Sequence, residues 1–270
     1  MPTVNALVIT GYGTNCEVET AHALEQAGAD SVRIAHFADL MQERLQVDHF
    51  NYLVFPGGFL DGDHLGAAQA AATRFRFAAT RSGRSLLDDI TALRDRGGLI
   101  LGICNGFQLL AKLGLLPCLD GLSLNRQISI SYNDSARFED RWVKLRCNPD
   151  SPCVFTADVD GFYFPVRHGE GKLSFASSQV QEEVRARNLI AMHYADENWQ
   201  ITQRYPDNPN GSPWGIAGLT DPTGRILGLM PHPEAYNHRT NHPAWTRGEQ
   251  HRLGTELFAR GVSALRRTET

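Results

Sequence analysis

The sequence has few cysteines, no long apolar run and no excess of positive charge. Its five cysteines among 270 residues form no CxxC pair, which argues against a disulfide framework. No run approaches the roughly 20 apolar residues of a membrane helix, and the start MPTVNALVIT lacks the features of a signal peptide. A formal net charge of -4 supplies no positive field for a polyanion. These absences predict a cytoplasmic protein with reduced thiols that binds neither membranes nor nucleic acid.

The composition is that of a globular protein. Hydrophobic residues make up 42% of the chain and charged residues 21%, which is enough to bury a sizeable core. No internal repeat, low-complexity segment or long linker interrupts the sequence. A single domain over residues 1–270 is therefore predicted.

The first half of the chain alternates short apolar runs with helical patterns. Strands are predicted at ALVITGYG, SVRIAHF, FNYLVFPGG and LILGIC, and helices at EVETAHALEQAG, DLMQERL and SLLDDITALRDRGG. In the first helix Val18, Ala21, Leu24 and Ala27 are expected on one buried face, and Gly28 is expected at the carboxyl end. Apolar strands separated by helices indicate a parallel sheet that is covered on both faces.

The second half of the chain changes to alternating apolar and polar residues. RQISISYN, FEDRWVKLRC, GFYFPVRHGEGKLSFAS and LIAMHYAD predict antiparallel strands, and GLTDPTGRILGLMPHPEA predicts a hairpin. The last helix is predicted from Gly248 to Arg267, with four apolar residues toward the core: Leu253, Leu257, Val262 and Leu265. The expected fold class is α/β, a flavodoxin-like doubly wound, mostly parallel sheet with added antiparallel strands.

One short segment has the form of a nucleophile elbow. In Gly102-Ile-Cys104-Asn-Gly106 a cysteine stands between an apolar strand and a helix, and small residues flank it where a sharp turn would crowd larger ones. The amino end of a helix favours the thiolate over the thiol. Free cysteines are nevertheless often packing residues, so a catalytic Cys104 requires a base.

The best candidate for that base is His232 in GLMPHPEAY, at the end of an apolar run. Glu234 follows two residues later, and in an extended chain both side chains would lie on the same side, as a base and its orienting carboxylate must. Two other interpretations are a surface histidine and a metal site that joins His232 to His238 and His242. No cysteine pair or HExxH motif accompanies these histidines, so no metal is predicted.

A nucleophilic cysteine that attacks an acyl group also needs donors for the oxyanion. Backbone N–H groups are available at Asn105, directly after Cys104, and at Gly58 in VFPGGF. Without side chains, Gly57 and Gly58 would let a substrate approach the backbone closely, although an ordinary turn explains Pro-Gly-Gly equally well.

Taken together and in this order, FPGG, GICNGFQLL and MPHPE resemble the class I glutamine amidotransferases. GTNCEVETAHALEQAGA, PGGFLDGDHL, NDSARFEDRWVKL and RHGEGKL are similar to one family within that class, the glutaminase subunits of phosphoribosylformylglycinamidine synthase. The resemblance covers almost the whole chain.

The resemblance implies the roles of the residues that match the family pattern. Cys104 would be the nucleophile, His232 the base and Glu234 the orienting carboxylate, with oxyanion donors at Gly58 and Asn105. It also implies glutamine contacts from Gln108 and from the segment between Asn133 and Phe138. Cys16 matches a family position without an evident chemical role and is interpreted as structural.

One further motif of the family, RHGEGK, lies outside the triad. It places His168, Glu170 and Lys172 in a turn spaced by glycines, which is interpreted either as a regulatory element or as an exposed polar turn.

The resemblance also implies a partner. The chain lacks a GxxxxGK[ST] phosphate loop, so ATP and magnesium are expected on a synthetase subunit that receives ammonia from glutamine. Whether a small bridging subunit joins the complex stays open. Two alternatives are a stand-alone cysteine amidohydrolase of the same fold and a catalytically idle docking subunit.

Overall fold

The computed structural model describes residues 2–267. The first part of the chain forms β1 (Asn5–Thr10), α1 (Glu17–Gln26), β2 (Ser31–His36), α2 (Phe37–Met41), β3 (Tyr52–Phe55), α3 (Gln69–Phe77), α4 (Leu86–Asp95), β4 (Leu99–Ile103) and α5 (Asn105–Leu113). The second part forms β5 (Ile128–Tyr132), β6 (Glu139–Cys147), β7 (Gly161–His168), β8 (Glu170–Phe175), α6 (Ser178–Ala186), β9 (Ile190–Ala195), β10 (Ile216–Thr220), β11 (Ile226–Leu229) and α7 (Thr255–Arg267).

Nine of these strands form one mixed sheet in the order β2-β1-β3-β4-β11-β10-β9-β6-β7. The strands from β2 to β11 in that order run parallel, and each strand from β10 to β7 is antiparallel to its neighbour. β5 and β8 pair separately as a two-stranded antiparallel sheet. The predicted fold class and the predicted hairpin, which is β10 and β11, are thereby confirmed.

Helices cover both faces of the parallel strands. Tyr52 and Phe55 are three residues apart on β3, so their side chains point to opposite faces. The Phe55 ring meets Phe75 of α3, with ring centroids 5.7 Å apart. On the other face, a Cβ at Gly261 of α7 would come within 2.8 Å of the Tyr52 hydroxyl oxygen. The same buried apolar cluster extends into the antiparallel strands through residues such as Phe164 and Leu145.

Two details of the predicted helices are wrong. Val18 is 66% exposed, because the buried face of α1 consists of Thr20, Ala21, Ala23 and Leu24. The last helix begins at Thr255 and not at Gly248, since Gly248 adopts a left-handed conformation and Gly254 donates its N–H to the Tyr236 oxygen. Neither α3 nor α6 was predicted from the sequence. No helix of residues 2–267 combines the length and apolarity that crossing a membrane requires.

Candidate active site

Cys104 occupies a sharp turn between β4 and α5. Its backbone has φ 50° and ψ -103°, a conformation that L-residues rarely adopt and that costs free energy. The flanking glycines allow the turn, because a Cβ at Gly106 would come within 2.0 Å of the Phe55 carbonyl oxygen and one at Gly102 within 2.7 Å of the Gly106 oxygen. The strand, turn and helix that the elbow motif predicts are all present.

His232 and Glu234 lie in the loop that follows β11. The Nδ1 atom of His232 is 2.5 Å from Oε1 of Glu234, and both residues are buried. The local backbone differs from the extended chain expected from the sequence, because Pro233 begins a 3-10 helix that continues to Ala235. The pair therefore forms across a tight turn.

The charge state of His232 follows from its neighbours. Burial by itself would lower the pKa of His232, but the Glu234 carboxylate and then Cys104 favour the protonated ring, and the pKa is raised well above its usual 6.5. Nε2 of His232 is buried and has no hydrogen-bond partner within residues 2–267. The protonated form of the His232 ring is thus favoured in the site.

Cys104 and His232 line the same cavity of about 420 Å³. The cavity lies at the carboxyl ends of β4 and β11, where open parallel sheets place ligands. β7 crosses beside it: the Arg167 oxygen is 3.7 Å from Sγ of Cys104, and the Pro165 oxygen accepts the backbone N–H of His232 at 2.8 Å. The antiparallel part of the sheet thereby completes a site that the parallel part begins.

Two backbone N–H groups near Cys104 are suited to an oxyanion. Gly58 lines the cavity. The backbone bridge there is made by the N–H of Asn15 to the Gly57 oxygen and the N–H of Phe59 to the Gly13 oxygen, so within residues 2–267 it does not use the N–H of Gly58. Asn105 is the first residue of α5, where N–H groups have no acceptor within the helix.

The other predicted substrate contacts divide into two groups. Gln108 and Phe138 line the cavity, and Nε2 of Gln108 donates to the Glu170 oxygen at 2.6 Å. Gly57 instead makes room for the His232 ring, because a Cβ there would lie 2.7 Å from Cε1 of His232. The Asn133 amide faces protein, since its Nδ2 donates to the oxygens of Arg137 and His168.

The interpretation of His168 as part of an exposed polar turn is wrong. His168 ends β7, is buried at 3% exposure and lines the cavity, whereas Lys172 pairs with Asp134 at 2.5 Å on β8. Burial, and next the charge of His232, lower the pKa of His168 to about 3. The strand predicted through RHG contained a signal for this burial. Alternate residues of β7 face the core, so Phe164, Val166 and His168 are buried together.

Cys16 also lies closer to the site than the sequence indicated. It lines the cavity, and its Sγ is 4.0 Å from Nδ1 of His232 and 3.2 Å from Oδ1 of Asn15. Burial raises the pKa of the Cys16 thiol above its usual value, although the hydrogen bond to His232 opposes this. Cys16 thus contacts the histidine on its Glu234 side.

The alternative metal site of His232, His238 and His242 does not form within residues 2–267. His232 groups with Cys16 and Glu234, whereas His242 groups with residues 249 and 251. His238 is exposed and accepts the backbone N–H of Thr240.

Comparison with known proteins identifies the family. Residues 3–263 match the CobB/CobQ-like glutamine amidotransferase domain. Phosphoribosylformylglycinamidine synthase subunit PurQ of Dehalococcoides mccartyi is 40% identical over 245 residues, which are 91% of this chain and 90% of that protein. The same subunit of Methanococcus maripaludis is 40% identical over 88% of this chain and 86% of that protein.

A solved structure agrees with these relatives. A chain in the structure of PurLQS from Thermotoga maritima superposes with a TM-score of 0.68 at 25% identity, covering 97% of this chain and 99% of that chain. By sequence and by fold, this chain belongs to the PurQ family of phosphoribosylformylglycinamidine synthase subunits, within the glutamine amidotransferases.

Proposed function

We propose that this chain is the glutaminase subunit of phosphoribosylformylglycinamidine synthase, which hydrolyses glutamine and supplies ammonia to a synthetase in purine biosynthesis. The observation that carries the proposal is the placement of Cys104, on a strained elbow, in one cavity with the His232–Glu234 pair. The relatives at 40% identity support the same activity.

In the proposed reaction, the sulfur of Cys104 attacks the side-chain amide carbon of glutamine. The carbonyl oxygen gains negative charge, which the N–H groups of Gly58 and Asn105 stabilise. His232 gives its Nε2 proton to the departing nitrogen, so the carbon–nitrogen bond breaks and ammonia leaves a γ-glutamyl thioester on Cys104.

Hydrolysis of the thioester restores the enzyme. Neutral His232 takes a proton from water, the hydroxide attacks the thioester carbon, and glutamate leaves with the sulfur again free. Glu234 holds the imidazole through Nδ1 in both steps and stabilises its charged form, as the 2.5 Å contact supports. Each step uses side chains that line or support the cavity.

Ammonia, the useful product of the proposed reaction, must be passed to a synthetase partner that consumes it. ATP and magnesium bind to the proposed synthetase subunit in the cytoplasm, and a small bridging subunit completes the complex; the match to a chain of PurLQS supports such an assembly. Because unused ammonia would waste glutamine, we expect kcat/KM for glutamine to rise at least about tenfold when the liganded synthetase is added. Equal values with and without the partner would favour a stand-alone amidohydrolase.

The nitrogen source distinguishes the proposal from an idle docking subunit. In the assembled synthase, Cys104→Ala is expected to abolish synthesis from glutamine but to preserve synthesis from added ammonia. Cys153→Ala, which removes a buried thiol outside the cavity, is the matched control and should retain both activities. Synthesis from glutamine by Cys104→Ala would overturn the proposal.

A further inference from the structure

His168 lines the cavity, and the hydrogen bonds of its ring determine which of its nitrogens can accept a hydrogen bond. Its Nδ1 is 3.1 Å from Oδ1 of Asn133, and Nδ2 of Asn133 donates to the backbone oxygens of Arg137 and His168. Since the two Nδ2 bonds fix the orientation of the amide, its oxygen faces the ring, and Nδ1 of His168 must carry the proton. Nε2 of His168 therefore holds a lone pair.

No hydrogen-bond donor among residues 2–267 meets this lone pair. Nε2 of His168 is buried and makes no hydrogen bond with any atom of residues 2–267. The adjoining Nδ1–Cε1 edge of the ring packs against Gly171, because a Cβ there would come within 2.6 Å of Nδ1 and 2.5 Å of Cε1. An unpaired polar atom at this depth costs free energy unless a ligand satisfies it.

The acceptor also stays neutral. Burial and the charge of His232 lower the pKa of His168 to about 3, so Nε2 does not gain a proton at neutral pH. His168 follows Arg167, whose backbone oxygen is 3.7 Å from Sγ of Cys104. The acceptor is thus held on the strand that borders the nucleophile.

We infer that Nε2 of His168 accepts an N–H of the substrate's γ-amide, and of the ammonia formed from it, and so selects glutamine over glutamate. The inference rests on the proposed glutaminase function. The oxyanion donors recognise the carbonyl oxygen, which an amide and a carboxylate share, whereas an acceptor recognises the NH2 group, which only the amide has. The ionised γ-carboxylate of the product would place an oxygen lone pair against that of Nε2, and this repulsion favours its release.

Two substitutions separate the acceptor from the structural role of His168. The shorter His168→Asn can keep a donor to Asn133 but has no atom at the Nε2 position. His168→Gln can place an amide oxygen at the Nε2 position but loses the donor to Asn133. With glutamine, we expect kcat/KM to fall about tenfold in His168→Asn, the worth of one neutral hydrogen bond, and to stay within about threefold of wild type in His168→Gln.

The substrate provides the second control. The γ-methyl ester of glutamate reacts at the same carbon, but its leaving oxygen carries no hydrogen. His168→Asn should therefore hydrolyse the ester as wild type does, within about twofold, and glutamate should inhibit it more strongly than wild type. Equal losses on amide and ester, or a larger loss in His168→Gln than in His168→Asn on glutamine, would overturn the inference.

The wild-type protein separates this inference from the proposed function. Wild type in the assembled synthase is expected to hydrolyse both the amide and the ester. If it hydrolyses neither, the glutaminase function itself fails. If it hydrolyses both and the two variants do not differ between the substrates, only the role of His168 fails.

Discussion

Two histidines line one cavity but come from different parts of the sheet. His232 follows β11 among the parallel strands, whereas His168 ends β7 at the antiparallel edge. Burial disfavours the charged form of both rings, yet the pKa of His232 is raised well above 6.5 and that of His168 is lowered to about 3. The neighbour of Nδ1 makes the difference: a carboxylate in Glu234 and a neutral amide oxygen in Asn133.

This difference divides the chemistry between the two regions. In the proposed mechanism, the parallel part, with Cys104 and His232, carries the groups that attack and transfer protons. The antiparallel part supplies a neutral acceptor that cannot transfer a proton at pH 7. If both histidines were charged, the two positive rings would repel each other, and the neutral acceptor at Nε2 of His168 would be lost.

The largest expected effect is the loss of the charged histidine. His232→Ala removes the group proposed to protonate the leaving nitrogen, so kcat/KM for glutamine should fall by about 10⁴-fold, whereas the loss expected in His168→Asn is far smaller. Steady-state glutaminase assays on the assembled synthase give both values. A His232→Ala enzyme with wild-type activity would eliminate the proposed triad.

Removal of the carboxylate should have a smaller effect. Glu234→Gln removes the largest of the effects that offset the burial of His232, and only the contributions of Cys104 and Cys16 remain, so the pKa of His232 should fall and less of the ring should be protonated at neutral pH. Because the imidazole remains, we expect a loss of about 10²-fold in kcat, which is partly recovered at lower pH. A pH–rate profile identical to that of wild type would show that Glu234 does not set the charge of His232.

The smallest effect concerns stability and tests the neutral histidine. An unfolded histidine takes up a proton below about pH 6.5, whereas folded His168 does so only near 3. The unfolded state therefore binds more protons in this window, and His168 should cost about 1.4 kcal/mol of folding free energy for each pH unit below 6. His232, with its raised pKa, contributes with the opposite sign: its stabilisation is complete below pH 6.5 and is lost as pH rises through its folded pKa.

Urea unfolding at pH 7 and pH 5 measures the contribution of His168. The decrease in the free energy of unfolding between these two pH values should be smaller in His168→Asn than in wild type. The same decrease in both proteins would mean that His168 is not held neutral.

The sequence predicted the parts of the site that depend on local pattern. The five residues from Gly102 to Gly106 were enough to predict the elbow around Cys104. The Pro-His-Pro-Glu run likewise indicated the candidate base and its carboxylate. The 3-10 turn at Pro233 was not predicted, although a proline at the first position of a helical turn is a local signal for it. The burial of His168, by contrast, depends on Asn133, 35 residues away.

The position of Cys16 could not be predicted either, because it also depends on a contact between residues far apart in the chain. Nothing near GTNC indicates that its thiol lies 4.0 Å from Nδ1 of His232, which is 216 residues away. Two thiols therefore line the cavity, Cys104 at the helix that follows β4 and Cys16 before α1, and only one is assigned as the nucleophile.

Labelling with an electrophilic glutamine analogue tests this assignment most directly. Burial raises the pKa of the Cys16 thiol, and its sulfur lies 3.2 Å from Oδ1 of Asn15, which accepts its proton in a hydrogen bond, so Cys16 should stay protonated and slow to react. Mass-spectrometric mapping of the labelled wild-type synthase is predicted to find the adduct on Cys104, with glutamine-dependent synthesis lost and ammonia-dependent synthesis retained. An adduct on Cys16, or comparable labelling of both thiols, would contradict the account.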